Sequence, residues 1–201
     1  STKKPANPTR FDGVAERGKP VYFAIYPHDV KGKMTDFTAD GATFHYTTPS
    51  VQTAVENGFD PKANVSVAII PNEEQLFKSY NTGALLKIRF NAQGVNVSKV
   101  IFEPNDATPI CGDVVAKTRF SGGVISQFEP YFKGGSAITL MPAKGQTLKS
   151  NTYYYIAVPA LTLEKGYRLS FITSEGKGIT LALPTSKAVQ FKRGEVYNGG
   201  T

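Results

Sequence analysis

Three runs in the second half of the chain decide its fold class: Tyr154-Tyr155-Ile156-Ala157-Val158-Pro159, Gly166-Tyr167-Arg168-Leu169-Ser170-Phe171 and Ile179-Thr180-Leu181-Ala182-Leu183. In the second, Tyr167, Leu169 and Phe171 alternate with Arg168 and Ser170. In the third, Ile179, Leu181 and Leu183 alternate with Thr180 and Ala182. A period of two sends successive side chains to opposite faces of a pleated strand, so each run has one face to bury. The segment Gly176-Lys177-Gly178 between the last two supplies the residues a hairpin turn needs.

The same pattern continues outward from there. Val21, Phe23 and Ile25 alternate with Tyr22, Ala24 and Tyr26 until Pro27 stops the run, and Leu86, Ile88 and Phe90 are separated by Lys87 and Arg89. Val189 and Phe191 flank Gln190, and further short runs cover residues 43–47, 65–70, 97–103, 114–118 and 137–141. Helical periodicity is confined to residues 73–80, where Leu76, Phe77 and Tyr80 fall on one side behind two glutamates. Many short strands separated by polar turns predict an all-β chain of antiparallel sandwich type.

Two domains are expected, with a seam in the connector-like residues 50–75. Residues 73–201 carry about eight strands, enough for one complete sandwich. Residues 1–72 carry two convincing strands plus residues 11–14, and residues 31–41 read as a loop. So few strands cannot satisfy their own edges. Residues 1–72 are therefore expected to be the C-terminal part of an N-terminal β-sandwich plus a connector, completed by chain preceding Ser1 or by a partner.

Composition excludes several functions. The chain of 201 residues has a single cysteine, Cys111, and therefore no internal disulfide and no multi-cysteine zinc site. Its two histidines, His28 and His45, stand far from Cys111 and lack metal-ligand spacing, so Cys111 reads as a packed core or turn residue rather than a nucleophile. The net charge of +7 is spread along the chain, with lysines alternating with apolar residues as in Lys87-Ile88-Arg89. That is a solvated strand face, and nucleic acid is not expected as a partner. The chain starts at Ser1 with no leader, which neither shows nor excludes secretion. No stretch is apolar for the roughly 18 residues a membrane helix needs.

The glycine pairs Gly122-Gly123, Gly134-Gly135 and Gly199-Gly200 are followed by no helix that could hold a phosphate, and they read as hairpin turns. Glu73-Glu74 shows no sign of acid–base pairing. Tyr131 and Tyr153, Tyr154 and Tyr155 could stack on sugars, although cross-strand packing is the simpler use. The sequons Asn64-Val65-Ser66 and Asn96-Val97-Ser98 are patterns common by chance. No catalytic set, cofactor site or metal site is expected, and a surface carbohydrate-binding module stands as the alternative to a structural role.

Seven short motifs, in order, resemble the fimbrillin-like family of Bacteroidetes, the proteins of type V pili and their surface-lipoprotein relatives. They are Tyr22-Phe23-Ala24-Ile25-Tyr26-Pro27, Thr48-Pro49-Ser50-Val51-Gln52, Asn81-Thr82-Gly83-Ala84-Leu85-Leu86-Lys87-Ile88, and Val97-Ser98-Lys99-Val100-Ile101-Phe102 with Ile110-Cys111-Gly112. Then come Tyr154-Tyr155-Ile156-Ala157-Val158-Pro159, Gly166-Tyr167-Arg168-Leu169-Ser170-Phe171 and Phe191-Lys192-Arg193-Gly194-Glu195-Val196. The resemblance implies two transthyretin-like β-sandwich domains and export to the cell surface or outer membrane, held there by a lipid on a cysteine upstream of Ser1. It also implies a non-catalytic role as pilus stalk, tip or anchor, assembling by β-strand addition with other fimbrial subunits or copies of itself, and contact with a host or bacterial surface receptor. Family members that polymerise are trimmed after an arginine, and Pro8-Thr9-Arg10-Phe11 offers Arg10 for that cut.

Overall fold

The computed structural model describes residues 22–27, 30–38, 40–70, 79–92, 94–121, 124–183 and 187–199. Among the described residues there is no α-helix, and the chain is all-β. Residues 11–14, and all but the end of the expected helical stretch 73–80, lie outside them.

Two stacks of facing sheets carry the fold. In the first, β1 (Tyr22–Tyr26), β5 (Ser66–Ile70) and β6 (Tyr80–Asn81) form a three-stranded sheet in the order β1-β5-β6. It packs on a four-stranded sheet of β2 (Lys33–Thr38), β3 (Gly41–Thr48), β9 (Gly112–Ser121) and β10 (Val124–Lys133), ordered β10-β9-β3-β2. The alternation of β3 turns Phe44 and Tyr46 inward, where they meet Val67, Val114, Ala116 and Phe132. Each fully buried side chain of this size contributes roughly 1.5–3 kcal/mol.

The second stack is built on β4 (Val51–Thr53), β8 (Val97–Pro104), β11 (Ile138–Met141), β14 (Tyr167–Thr173) and β15 (Gly178–Leu183), in the order β15-β14-β8-β11-β4. Facing it are β7 (Gly83–Ile88), β12 (Tyr154–Pro159) and β17 (Val196–Asn198), ordered β12-β7-β17, and a short ladder joins β13 (Thr162–Leu163) to β16 (Val189–Gln190). Leu86, Ile88, Phe102, Leu140, Ile156 and Leu169 lie at the centre of this larger core, each at most 1% exposed. Most pairings are antiparallel, as expected, but β4 lies parallel to β11 and β17 parallel to β7.

The sheets do not divide at residue 72. The hairpin β9–β10 leaves the second core and pairs with β3 along all eight of its residues, from Gly41↔Arg119 to Thr48↔Gly112. In the other direction β4 joins the second stack. Part of what residues 1–72 needed from outside is thus supplied from within the chain. The alternating pattern marks which face of a strand is buried but carries no information on which strand it pairs with, so both exchanges were hidden in it.

The hairpin passes between the cores through a narrow neck. Ile110 and Cys111 belong to the second core, and the backbone turns at Gly112, whose φ is 95°. A Cβ at Gly112 would lie 2.8 Å from the Lys133 carbonyl oxygen, and one at Gly134 would strike the Cys111 carbonyl. The N–H groups of Ile110 and Cys111 both donate to Gly135 O, at 2.9 and 3.2 Å. Gly134-Gly135 is therefore the return crossing of this neck and not the hairpin turn expected of it. Residues 31–41, expected as a loop, contain strand β2.

Candidate functional site

Among the described residues β15 stands at the edge of its sheet, with β14 on one side. The turn joining them is closed by Gly176 N–H on Thr173 O at 3.0 Å and Thr173 N–H on Lys177 O at 2.7 Å, with Gly176 at φ 78°. This fixes the phase of the ladder. Residues 179 and 181 exchange hydrogen bonds with β14, and the N–H and C=O groups of Gly178, Thr180 and Ala182 point away from it. β14 runs close to Gly178: an added Cβ would sit 3.0 Å from Phe171 O and 2.7 Å from the end of the Ile172 side chain.

Beside this edge lies an apolar groove of about 320 Å³ lined by Phe90, Ala92, Val95, Val97, Phe171 and Ile179. Ile179 is 75% exposed although it lies on the same face as Phe171, which packs against the second core. The reason is architectural: among the described residues β15 belongs to a five-stranded sheet that faces a sheet of three strands. An open backbone ladder beside an apolar groove can accept an extended segment whose alternate side chains are apolar. The opposite side of the stack is closed, because Gln52 of β4 reaches β12 and hydrogen-bonds both backbone groups of Ala157.

A second feature occupies the outer face of β2-β3-β9-β10. Asp36, Thr38, Asp40, Thr43, Lys117, Arg119, Gln127 and Glu129 line an open polar groove of about 480 Å³. Cross-strand register builds it in rows, Thr43–Lys117–Glu129 and Gly41–Arg119–Gln127. On the β2 side the register slips by one residue between Thr35 and Thr38, and Asp36 adopts φ 51°. That bulge bends β2 beside the groove.

The residues singled out from the sequence fall in different places. Cys111 is 1% exposed in the neck, with Sγ donating to the carbonyls of Gly135 at 3.2 Å and Ala137 at 3.4 Å. Burial pushes the thiol's pKa up, against the smaller opposing effect of those hydrogen bonds, which suits packing rather than thiolate chemistry. His45 Nε2 lies 2.8 Å from Thr35 Oγ1 on the outer face of β3. Arg10, His28, Glu73-Glu74 and Gly122-Gly123 lie outside the described residues.

The tyrosines divide. Tyr154 is buried in the second core, where its hydroxyl accepts from Lys149 N–H at 2.8 Å. Lys87 Nζ sits 3.9 Å over the Tyr153 ring, and Arg89, hydrogen-bonded to its hydroxyl, holds that phenol below the usual tyrosine range. Tyr131 is 64% exposed, one row beyond Glu129 on β10. Among the described residues no group of His, Cys, Asp and Glu is arranged to hold a metal ion, and no helix is long and apolar enough to cross a membrane. The edge of β15 was legible as a strand, but its open position was not, and β2 and β10, which frame the polar groove, were missed.

No protein-family model matches this chain, and no curated protein matches it. Among solved structures, that of a "putative cell adhesion protein from Bacteroides ovatus ATCC 8483" is similar over 81% of this chain and 63% of its own, at 14% identity and a TM-score of 0.40. This chain thus spans less than two thirds of that protein's length.

Proposed function

We propose that this chain is a non-catalytic structural and adhesion protein of the bacterial cell surface, a fimbrillin-like pilus component built on two transthyretin-like sandwiches. It assembles by β-strand addition, and the acceptor is the open edge of β15 with its apolar groove. The donor is an extended segment of a neighbouring fimbrial subunit, either another copy or a related protein. A lipid anchor upstream of Ser1 and a cut at Arg10 belong to this reading as consequences of the family resemblance. The observation that carries it is the combination at β15: backbone groups at Gly178, Thr180 and Ala182 that no other strand meets among the described residues, beside the 75% exposed Ile179.

Thr180→Pro tests it, because proline removes an outward N–H while leaving the backbone hydrogen bonds to β14 in place; of the contacts to β14 it gives up the 3.0 Å bond between Thr180 Oγ1 and Ser170 Oγ. The exported protein carrying Thr180→Pro, or Ile179→Asp in the groove, is expected to lose assembly into surface filaments while the isolated chain keeps its folded spectrum. Filaments and adhesion that persist unchanged when the whole gene is deleted overturn the reading, as does a mature full-length protein that remains monomeric on the cell.

A further inference from the structure

Independently of strand addition, we infer that the polar groove on the outer face of β2-β3-β9-β10 is a binding site for neutral oligosaccharide. Its charged groups face solvent, and among the described residues only Asp36 has a side-chain hydrogen bond, accepted from the adjacent Thr35 Oγ1 at 3.0 Å. Lys117, Arg119, Asp36, Asp40 and Glu129 form no ion pair with one another among the described residues, although Glu129 stands directly across the ladder from Lys117. The side chains of Lys117, Arg119, Gln127 and Glu129 make no hydrogen bond there either. The face therefore offers two cationic donors, three carboxylate acceptors and a carboxamide that can do both.

That inventory selects the ligand. Two positive and three negative groups nearly cancel, so neither a polyanion nor a polycation gains from the field of the groove. A neutral ligand crowded with hydroxyls uses donors and acceptors together, since each hydroxyl both gives and accepts a hydrogen bond. Tyr131, just beyond the residues that line the groove, completes the match. Its exposed ring lies one row from Glu129 on the same face of β10, and a pyranose ring can stack on it while its hydroxyls face the charged rows. The volume of about 480 Å³ lies within the range for small-ligand clefts. The bulge at Asp36 lies at the β2 side of this space.

A glycan array of neutral, sialylated and sulfated oligosaccharides, probed with the intact chain, tests this. Binding of neutral glycans is expected, and it should persist in high salt. In titration calorimetry with the best neutral glycan from the array, Tyr131→Ala and Glu129→Gln should each weaken affinity roughly tenfold or more, from the loss of one stacking face or one charge-assisted hydrogen bond. Tyr153→Ala, on the other stack, should leave affinity unchanged. Both test residues are exposed, and an unaltered melting temperature establishes that the variants are folded. The inference is overturned by an array with no signal above background, by binding confined to acidic glycans, or by affinity that Tyr131→Ala and Glu129→Gln leave intact or Tyr153→Ala reduces equally.

Discussion

Gln52 is 2% exposed, and its carboxamide lies along the backbone of Ala157: Nε2 donates to Ala157 O at 2.8 Å, and Ala157 N–H donates to Oε1 at 2.9 Å. It does for the edge of β12 what a neighbouring strand would do. Gln52→Ala strips both partners from a buried peptide group and should lower stability by about 2–4 kcal/mol, read from the urea unfolding midpoint. Gln52→Glu should cost no less, because a carboxylate cannot donate to the Ala157 carbonyl. The residue was visible in sequence as part of a Pro-x-x-Gln element, but its use was not, since the partner lies 105 positions away. Tyr46 makes a second case at this scale. Burial raises its phenol well above the usual tyrosine range, with smaller opposing effects from Thr82 and Arg193. The folded state therefore holds the phenolic proton at a pH where the unfolded chain releases it. This contribution is fully present below the ordinary tyrosine value near 10 and falls by about 1.4 kcal/mol per pH unit above it. Replacing Tyr46 with Phe should flatten that alkaline decline in urea midpoints measured from pH 9 to 11.

Elements were legible in proportion to how regularly they alternate and how deeply they are buried. β8, β12, β14 and β15 stand where the period of two placed them, whereas β7 ends at Ile88, short of the Phe90 that closed its run, and begins earlier, at Gly83. β2 escaped because it is an edge strand of polar composition, Lys33-Met34-Thr35-Asp36-Phe37-Thr38, with a bulge that breaks its period. β10 escaped for a related reason. Its outward residues Gln127 and Glu129 serve the groove rather than the core, and Pro130 is tolerated because β10 is also an edge. The neck that launches this hairpin can be tested at Gly112. Gly112→Ala combines a positive φ with a Cβ 2.8 Å from Lys133 O, and it should cost about 1–3 kcal/mol in denaturant unfolding. Because β9 and β10 depend on that crossing, their amide protons should lose hydrogen-exchange protection before those of β7 and β12.

At the scale of the molecule the two stacks are interleaved. β9 and β10 belong by sequence to the second half and by pairing to the first stack, and β4 does the reverse. Arg193, near the chain's end, adds a further tie, donating to Ile125 O at 3.3 Å with its guanidinium 5.2 Å over the Phe128 ring. A fragment cut at residue 72 is therefore expected to fail. Residues 73–201 alone would expose the faces of β9 and β10 and lose Gln52, so the fragment should show neither a cooperative melt nor dispersed amide resonances, whereas the full chain melts in a single transition. What the sequence determined by itself was the strand class and the inward and outward face of most strands, because alternation is local and each residue carries its own hydrophobicity. What only the tertiary structure decided was partnership: that β3 finds β9, that Gln52 substitutes for a strand beside β12, and that no strand among the described residues covers the outer edge of β15. Those outcomes depend on which distant segments close around a common core, and a strand with one apolar face suits many partners equally until the rest of the chain has taken its place.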